Sequence, residues 1–224
     1  FNVTGREPIT KFVVGPTASG KTSIVRPFAK EKSAPVIAPD IYKEQYPGYT
    51  PERANLYHEA SSVANRAAVS KAISEGRSFV NVVTGRNTGK FTRLMRDLKS
   101  KGRSADVDFI YVDTEESLRR MALRRASKKG INVPDEAVIE NHKGSIRSLF
   151  EAFIPEAKTV TIYGNPRNVL GEAKAVPIAS FENGKLVNID NQNEFEKILK
   201  EWHTILGKEI ENALEGTFAR DGNK

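Results

Sequence analysis

The sequence contains no cysteine. Disulfides, thiolate metal sites and cysteine nucleophiles are thereby excluded, and the composition fits a protein of the reducing cytoplasm. Histidine is scarce too: His58, His142 and His203 are scattered without metal-ligand spacing. No apolar run approaches the roughly 20 residues a membrane-spanning helix needs, so no membrane partner is expected. The chain opens on Phe1 rather than Met and lacks a charged-then-apolar leader, which reads as a trimmed fragment without targeting information. Internal repeats, low-complexity tracts and long linkers are missing as well. A single principal domain over residues 1–224 is expected, with a core at about 11–165 and a hairpin and helix at about 174–215.

What is present is ordinary in amount and uneven in placement. Hydrophobic residues make up 38% of the chain, enough for a real core. Net charge is +7, from 35 basic and 28 acidic residues, and much of the basic surplus falls between Arg86 and Lys129. Such a surplus suits an anionic partner, whether nucleotide, nucleotide-sugar, nucleic acid or acidic protein.

Apolar periodicity and breakers place the elements. Strands are expected at 11–14, 34–38, 78–83, 107–112 and 159–163. Helices are expected at about 20–30, 52–75, 88–101, 114–129 and 135–153. Their alternation predicts an α/β fold of P-loop NTPase type, a mainly parallel sheet with helices on both faces. The pattern then changes: two β-runs, 175–181 and 185–189, flank Asn183-Gly184, a strong hairpin signal. An amphipathic helix at 195–214, carrying Trp202, closes the chain; its apolar stripe reads as core or partner packing.

The most specific chemical signal is Gly15-Pro16-Thr17-Ala18-Ser19-Gly20-Lys21-Thr22, a complete G-x-x-x-x-G-K-[ST] pattern between strand and helix. Gly15 and Gly20 let the loop wrap with its amides turned toward phosphate oxygens, and the helix start adds its positive dipole end. Lys21 is expected on the β- and γ-phosphates, Thr22 on Mg²⁺, and Ser19 and Ser23 beside them. A nucleoside triphosphate, ATP or GTP, is the implied phosphate donor. Asp40 follows the second strand, where open α/β sheets bind ligands, and a carboxylate there can take the proton of an attacking hydroxyl. It reads equally as a turn or helix-cap residue.

The segment Pro39-Asp40-Ile41-Tyr42-Lys43-Glu44-Gln45-Tyr46-Pro47-Gly48-Tyr49 resembles the aspartate-to-aromatic segment of the zeta toxins, the kinases of bacterial toxin–antitoxin systems. The P-loop, Asn65-Arg66, Thr84-Gly85-Arg86-Asn87-Thr88 and Lys101-Gly102 occur in that family's order over roughly residues 13–165. The resemblance implies transfer of the γ-phosphate to a sugar hydroxyl of UDP-N-acetylglucosamine or a related UDP-sugar, which blocks cell-wall precursor synthesis. It implies Asp40 as base, Lys21 on phosphate, Thr22 on metal, and Tyr46, Thr84 and Arg86 near the substrate. It also implies an inhibitory antitoxin protein as partner. Two family glutamates that hold the sugar are replaced: the strand before Thr84 reads Asn81-Val82-Val83, and the second position falls near Val69. Glu59 is a substitute or a solvated helix residue. A kinase of another small metabolite or an antibiotic is the alternative on the same fold.

The helix 114–129 supplies further cations. Arg119, Arg120, Arg124 and Arg125 sit where small-molecule kinases carry arginines that neutralise charge on the transferred phosphoryl group. Arg120 and Arg124 share a face by spacing, and a solvated basic face is the other reading. In the zeta register one arginine falls near Arg119 or Arg120 and the second near Ile131, leaving Arg124, Arg125 or Lys128 to replace it. Asp113 resembles a magnesium-coordinating strand-end acid and also reads as a helix cap, the reading its neighbours Thr114, Glu115 and Glu116 favour. A nucleotide-dependent nucleic-acid-binding module would also explain the charge. The basic residues, however, cluster by the presumed phosphate site rather than in a stripe interleaved with aromatics.

Overall fold

β-Branched and aromatic residues at alternate positions build a seven-stranded sheet whose two faces are filled by different side chains of the same strands. The computed structural model describes residues 7–22, 24–25, 29, 34–127, 133–165 and 174–207. The strands are β1 (Thr10–Val14), β2 (Val36–Ile37), β3 (Phe79–Val83), β4 (Asp106–Tyr111), β5 (Thr159–Gly164), β6 (Val176–Glu182) and β7 (Lys185–Ile189). Their order is β2-β3-β1-β4-β5-β6-β7, parallel through β5 and antiparallel thereafter. This is the expected mainly parallel α/β architecture with a C-terminal hairpin. Asn183 and Gly184 take φ of 49° and 81°, the left-handed pair that a two-residue turn between twisted strands requires.

The helices are α1 (Pro39–Lys43), α2 (His58–Ser74), α3 (Thr88–Ser100), α4 (Thr114–Ala126), α5 (Asp135–Ser148), α6 (Ile154–Glu156) and α7 (Gln192–Ile205). The larger core packs α2, α3, α5 and α7 on the face carrying Phe12, Val14, Phe79, Val83, Phe109 and Ile162. On the opposite face Val13, Val80, Val82 and Ile110 meet Val25 from the segment after the P-loop. Toward β4 and β5 that second face turns polar, where Lys11 pairs with Asp108 at 2.8 Å and Thr159 donates to Asp106.

Four elements depart most from their expected bounds. The strand expected at 34–38 pairs only at Val36 and Ile37, because it is the sheet's edge and has a neighbour on one side. The helix expected at 52–75 starts as a 3₁₀ segment, Pro51–Tyr57. Its junction with α2 is held by Tyr57, which stacks on Tyr46, meets Tyr49 edge-on and donates to the Pro47 carbonyl at 3.1 Å. The helix expected at 135–153 widens into a π segment, Leu149–Phe153, and runs on through α6. Pro155 explains the widening: it has no N–H to donate, and its ring crowds the carbonyl four residues earlier. The last helix begins at Gln192, capped by Asn191, which accepts from the Glu194 amide at 3.1 Å. Beyond Gly207 the expected helix lies outside the described residues. Trp202 stacks on Phe150 at 4.3 Å, so the stripe on α7 packs on the core. No described helix is long and apolar enough to cross a membrane.

Phe79 tests this core directly. It is wholly buried, edge-on to Phe12 at 5.9 Å, with the Arg103 guanidinium over its ring at 5.6 Å. Phe79→Ala is expected to cost about 3–5 kcal/mol, read as a lower urea midpoint with an unchanged slope.

Candidate active site

The register places Val14 opposite both Val83 and Phe109, so the loops after β1, β3 and β4 open on one crevice at the strands' carboxyl ends. Gly15 turns the chain there with φ of 152°, and a Cβ on it would stand 2.3 Å from the Ile110 carbonyl oxygen. Only glycine fits that approach. Lys21 begins the following helix and folds back over the loop, donating to the carbonyls of Gly15 and Pro16, both at 2.8 Å. Withdrawal from solvent pushes its ammonium down to about 7; Asp40 opposes that shift and Arg124 adds to it. Thr22 is exposed beside it, and Ser23 lies outside the described residues.

Asp40 lies in the first turn of α1, but the cap position belongs to Ala38 and no side chain caps this helix. Its carboxylate, 65% exposed, is held instead by the buried Lys43 ammonium at 2.9 Å. Asp40 bears electrostatically on Lys21, Tyr49 and His58, which places it at the same crevice. His58, whose spacing gave it no metal-ligand role, comes to this side of the crevice as well. Burial, Lys43 and Arg86 push its imidazole below the ordinary histidine range, and Asp40 opposes them. The available signal was its position, since the first residue of a crossover helix lies at the carboxyl end of the sheet. Tyr46 stands over this side, half-buried and stacked on Tyr57 at 5.6 Å.

Thr84-Gly85-Arg86 leaves β3 beside the P-loop. Gly85 takes φ of 79°, and a Cβ there would stand 2.4 Å from Val14 Cγ1. Helix α5 presses on this turn from outside. Gly144 leaves room for Arg86, whose Cγ and carbonyl oxygen would lie 2.6 and 2.7 Å from an added Cβ. The Ser145 hydroxyl reaches the Thr84 carbonyl, and Ser148 shares a hydrogen bond of 3.0 Å with Thr88. Thr84 is half-buried and Arg86 exposed. Val69 is packed in the core, and the side chains of Asn65 and Asn81 are buried with unpartnered Oδ1 atoms. Glu59 is exposed on α2.

The four arginines of α4 part company. Arg120 was expected to face phosphate, but it is 2% exposed and serves the loop from behind. Its nitrogens donate to Glu116 Oε1 at 2.6 Å, the Ala18 carbonyl at 3.2 Å and the Asn165 carbonyl at 2.7 Å. Arg119 turns outward in a two-point ion pair with Glu116. Arg125 reaches toward α5, donating to the Val133 carbonyl at 3.2 Å and to Asp135 at 2.7 Å. Arg124, half-buried against Met121, is the one whose charge bears on Lys21. Lys128 and Ile131 lie outside the described residues. Asp113 caps α4, accepting from the Glu116 amide at 2.7 Å, so the helix-cap reading of this acid describes what it does here.

Comparisons with known proteins agree on the architecture. The family model described as Zeta toxin matches residues 2–175. Among solved structures, the ATP-bound complex of AvrRxo1-ORF1 and AvrRxo1-ORF2 is similar with a TM-score of 0.68 at 20% identity, covering 87% of this chain and 64% of the matched one. A chain of the PezAT chromosomal toxin–antitoxin system of Streptococcus pneumoniae is similar with a TM-score of 0.54 at 16% identity, covering 91% and 87%. The chain thus spans about 64% of the length of the AvrRxo1 chain that it matches. No curated protein matches the sequence.

Two outcomes follow from this geometry. A polyanion arriving at Lys21 raises a pKa that stands near 7 in the free protein, so binding takes up a proton between about pH 7 and the ordinary 10.5. Calorimetry of ATP binding at pH 8 in buffers of different ionisation enthalpy should show close to one proton gained, a gain missing from Lys21→Met. Gly144→Ala should displace the Arg86 turn, destabilising the protein by about 1–3 kcal/mol. Thermal unfolding measures it, and an unchanged midpoint would contradict the packing.

Proposed function

The chain belongs to the zeta toxin family, and on that premise we propose that it moves the γ-phosphate of ATP or GTP to a sugar hydroxyl of a UDP-N-acetyl sugar, UDP-N-acetylglucosamine or a relative. The observation that carries this reading is that Asp40 of α1 and Arg124 of α4 both act on the ammonium of Lys21. A base and two cations thereby share one crevice, as in-line phosphoryl transfer requires.

Lys21 exchanges the carbonyls of Gly15 and Pro16 for β- and γ-phosphate oxygens, with Gly15, Ser19 and Gly20 shaping the amide cradle. Arg124 offsets charge on the transferred group; Arg119 and Arg125, already paired with Glu116 and Asp135, support α4 instead. Thr84, Arg86, Tyr46 and, beside Asp40, His58 hold the acceptor. Asp40, oriented by Lys43, accepts the hydroxyl proton as the acceptor oxygen bonds to Pγ and the bond from Pγ to the β-phosphate oxygen breaks. No covalent enzyme intermediate is required. The exposed Thr22 hydroxyl would take Mg²⁺ together with oxygens of the nucleotide, the hard oxygen donors that this ion prefers. Bound there, the ion would neutralise charge on the triphosphate.

We read the chain as one kinase domain of the cytoplasm, where nucleotide and sugar-nucleotide meet, acting against cell-wall precursor synthesis. An inhibitory antitoxin is the expected partner, in keeping with the toxin–antitoxin system among the similar structures. One observation favours a second acceptor class, another small metabolite or an antibiotic. The family's sugar-holding glutamates are missing: the strand before Thr84 reads Asn81-Val82-Val83, the second position falls near Val69, and all four of these side chains are buried.

Mass spectrometry of ATP/Mg²⁺ reactions over a panel of UDP-sugars separates the readings. A gain of one phosphate that falls at least 10³-fold in Asp40→Ala, with ATP binding retained, is expected. Turnover of no UDP-sugar would sink the sugar assignment and move the search to other hydroxyl acceptors.

A further inference from the structure

Three successive carbonyls of the phosphate loop are held by three buried side chains, two from α4 and one from just past β5. Ser117 Oγ, in the first turn of α4, donates to the Thr17 carbonyl at 3.1 Å. Arg120 Nη1, one turn later, donates to Ala18, and Asn165 Nδ2, just past β5, donates to Ser19. The three donors are 0%, 2% and 3% exposed. Two of them are also joined, because Arg120 Nη2 donates to the Asn165 carbonyl, and the Asn165 backbone N–H is anchored in turn on the Tyr111 carbonyl at 3.3 Å. Glu116 compensates the buried guanidinium; its hydrogen bonds from Arg119 and Arg120 hold its carboxyl down at about 2, so it stays ionised.

A trans peptide directs its C=O and the N–H that follows to opposite sides. Holding the carbonyls of residues 17, 18 and 19 against the scaffold therefore turns the amides that follow them away from it; those of Ala18 and Gly20 are directed toward the crevice, while the Ser19 amide closes a turn on the Pro16 carbonyl at 3.4 Å. The conformation is not one the loop would adopt unaided. Ala18 has φ of 61°, a left-handed backbone that a residue with a Cβ rarely adopts. Its methyl is seated against Met121 and Val138 while Arg120 holds its carbonyl.

We propose that Ser117, Arg120 and Asn165 are positioning residues that pre-form the phosphate cradle by fixing three consecutive P-loop peptides. The inference rests on the nucleotide-binding reading above. It changes the part of Arg120 from a contact to the transferred group into a support behind the loop. It also adds Asn165 and Ser117, which lie outside the motif.

Asn165→Asp keeps the side chain's shape and removes the donor; Ser117→Ala removes a single hydroxyl. Each is expected to weaken ATP/Mg²⁺ binding about tenfold by calorimetry, or about 1.4 kcal/mol. In ¹H–¹⁵N spectra, the amide shifts that inorganic pyrophosphate induces at residues 18–20 should shrink in both variants. Folded variants with wild-type affinity and wild-type amide shifts would overturn the proposal, as would a lowered melting temperature with both retained. A wild-type protein that binds neither ATP nor GTP would instead overturn the nucleotide reading. Binding without transfer to any UDP-sugar leaves this test intact, because its readouts need no acceptor.

Discussion

The parallel register that sets Val14 opposite Val83 on one side and Phe109 on the other brings three loops to a single level. Everything at the crevice depends on that alignment. Gly15 must pass within contact of the Ile110 carbonyl, and Gly85 within contact of Val14, so neither loop can shift without the strands shifting. A one-residue slip would turn Phe12, Val14 and Val83 out of the larger core, which is what makes the register costly to lose.

Helix α5 converts that alignment into rigidity. On one helix, Asn141 reaches the Thr17 hydroxyl, Gly144 admits Arg86, Ser145 reaches the Thr84 carbonyl and Ser148 meets Thr88. On its far side His142 Nε2 lies 3.0 Å from Glu201 of α7, tying the C-terminal helix to the same brace. The loop that would hold the donor and the turn that would hold the acceptor therefore share one support. The separation between a bound phosphate and an attacking hydroxyl is set by packing.

The positive surplus has a more divided meaning than its sum suggests. Arg103 donates to Thr10 and the Arg77 carbonyl, Arg120 to the P-loop support, Arg125 to Asp135 and Lys43 to Asp40. Those cations organise the fold. Lys21, lowered toward neutrality by withdrawal from solvent, is poised to regain its charge against a polyanion, with Arg124 in its field.

By itself the sequence determined the alternation of strand and helix, the Gly15–Thr22 motif, the Asn183-Gly184 hairpin and the cap at Asp113. Each rests on local rules: side-chain periodicity, the φ range open to glycine and asparagine, and a carboxylate's reach to an amide three residues on. The tertiary structure alone decided which of four neighbouring arginines bears on Lys21. Helical spacing grouped Arg120 with Arg124, but Asn165 and the Ala18 carbonyl, 45 and 102 residues away, drew Arg120 beneath the loop. His58 at the head of α2 and Asn165 behind Ser19 were equally hidden. Their partners meet only when β1, β3, β4 and β5 lie side by side, and no local pattern records a contact made across that distance in the chain.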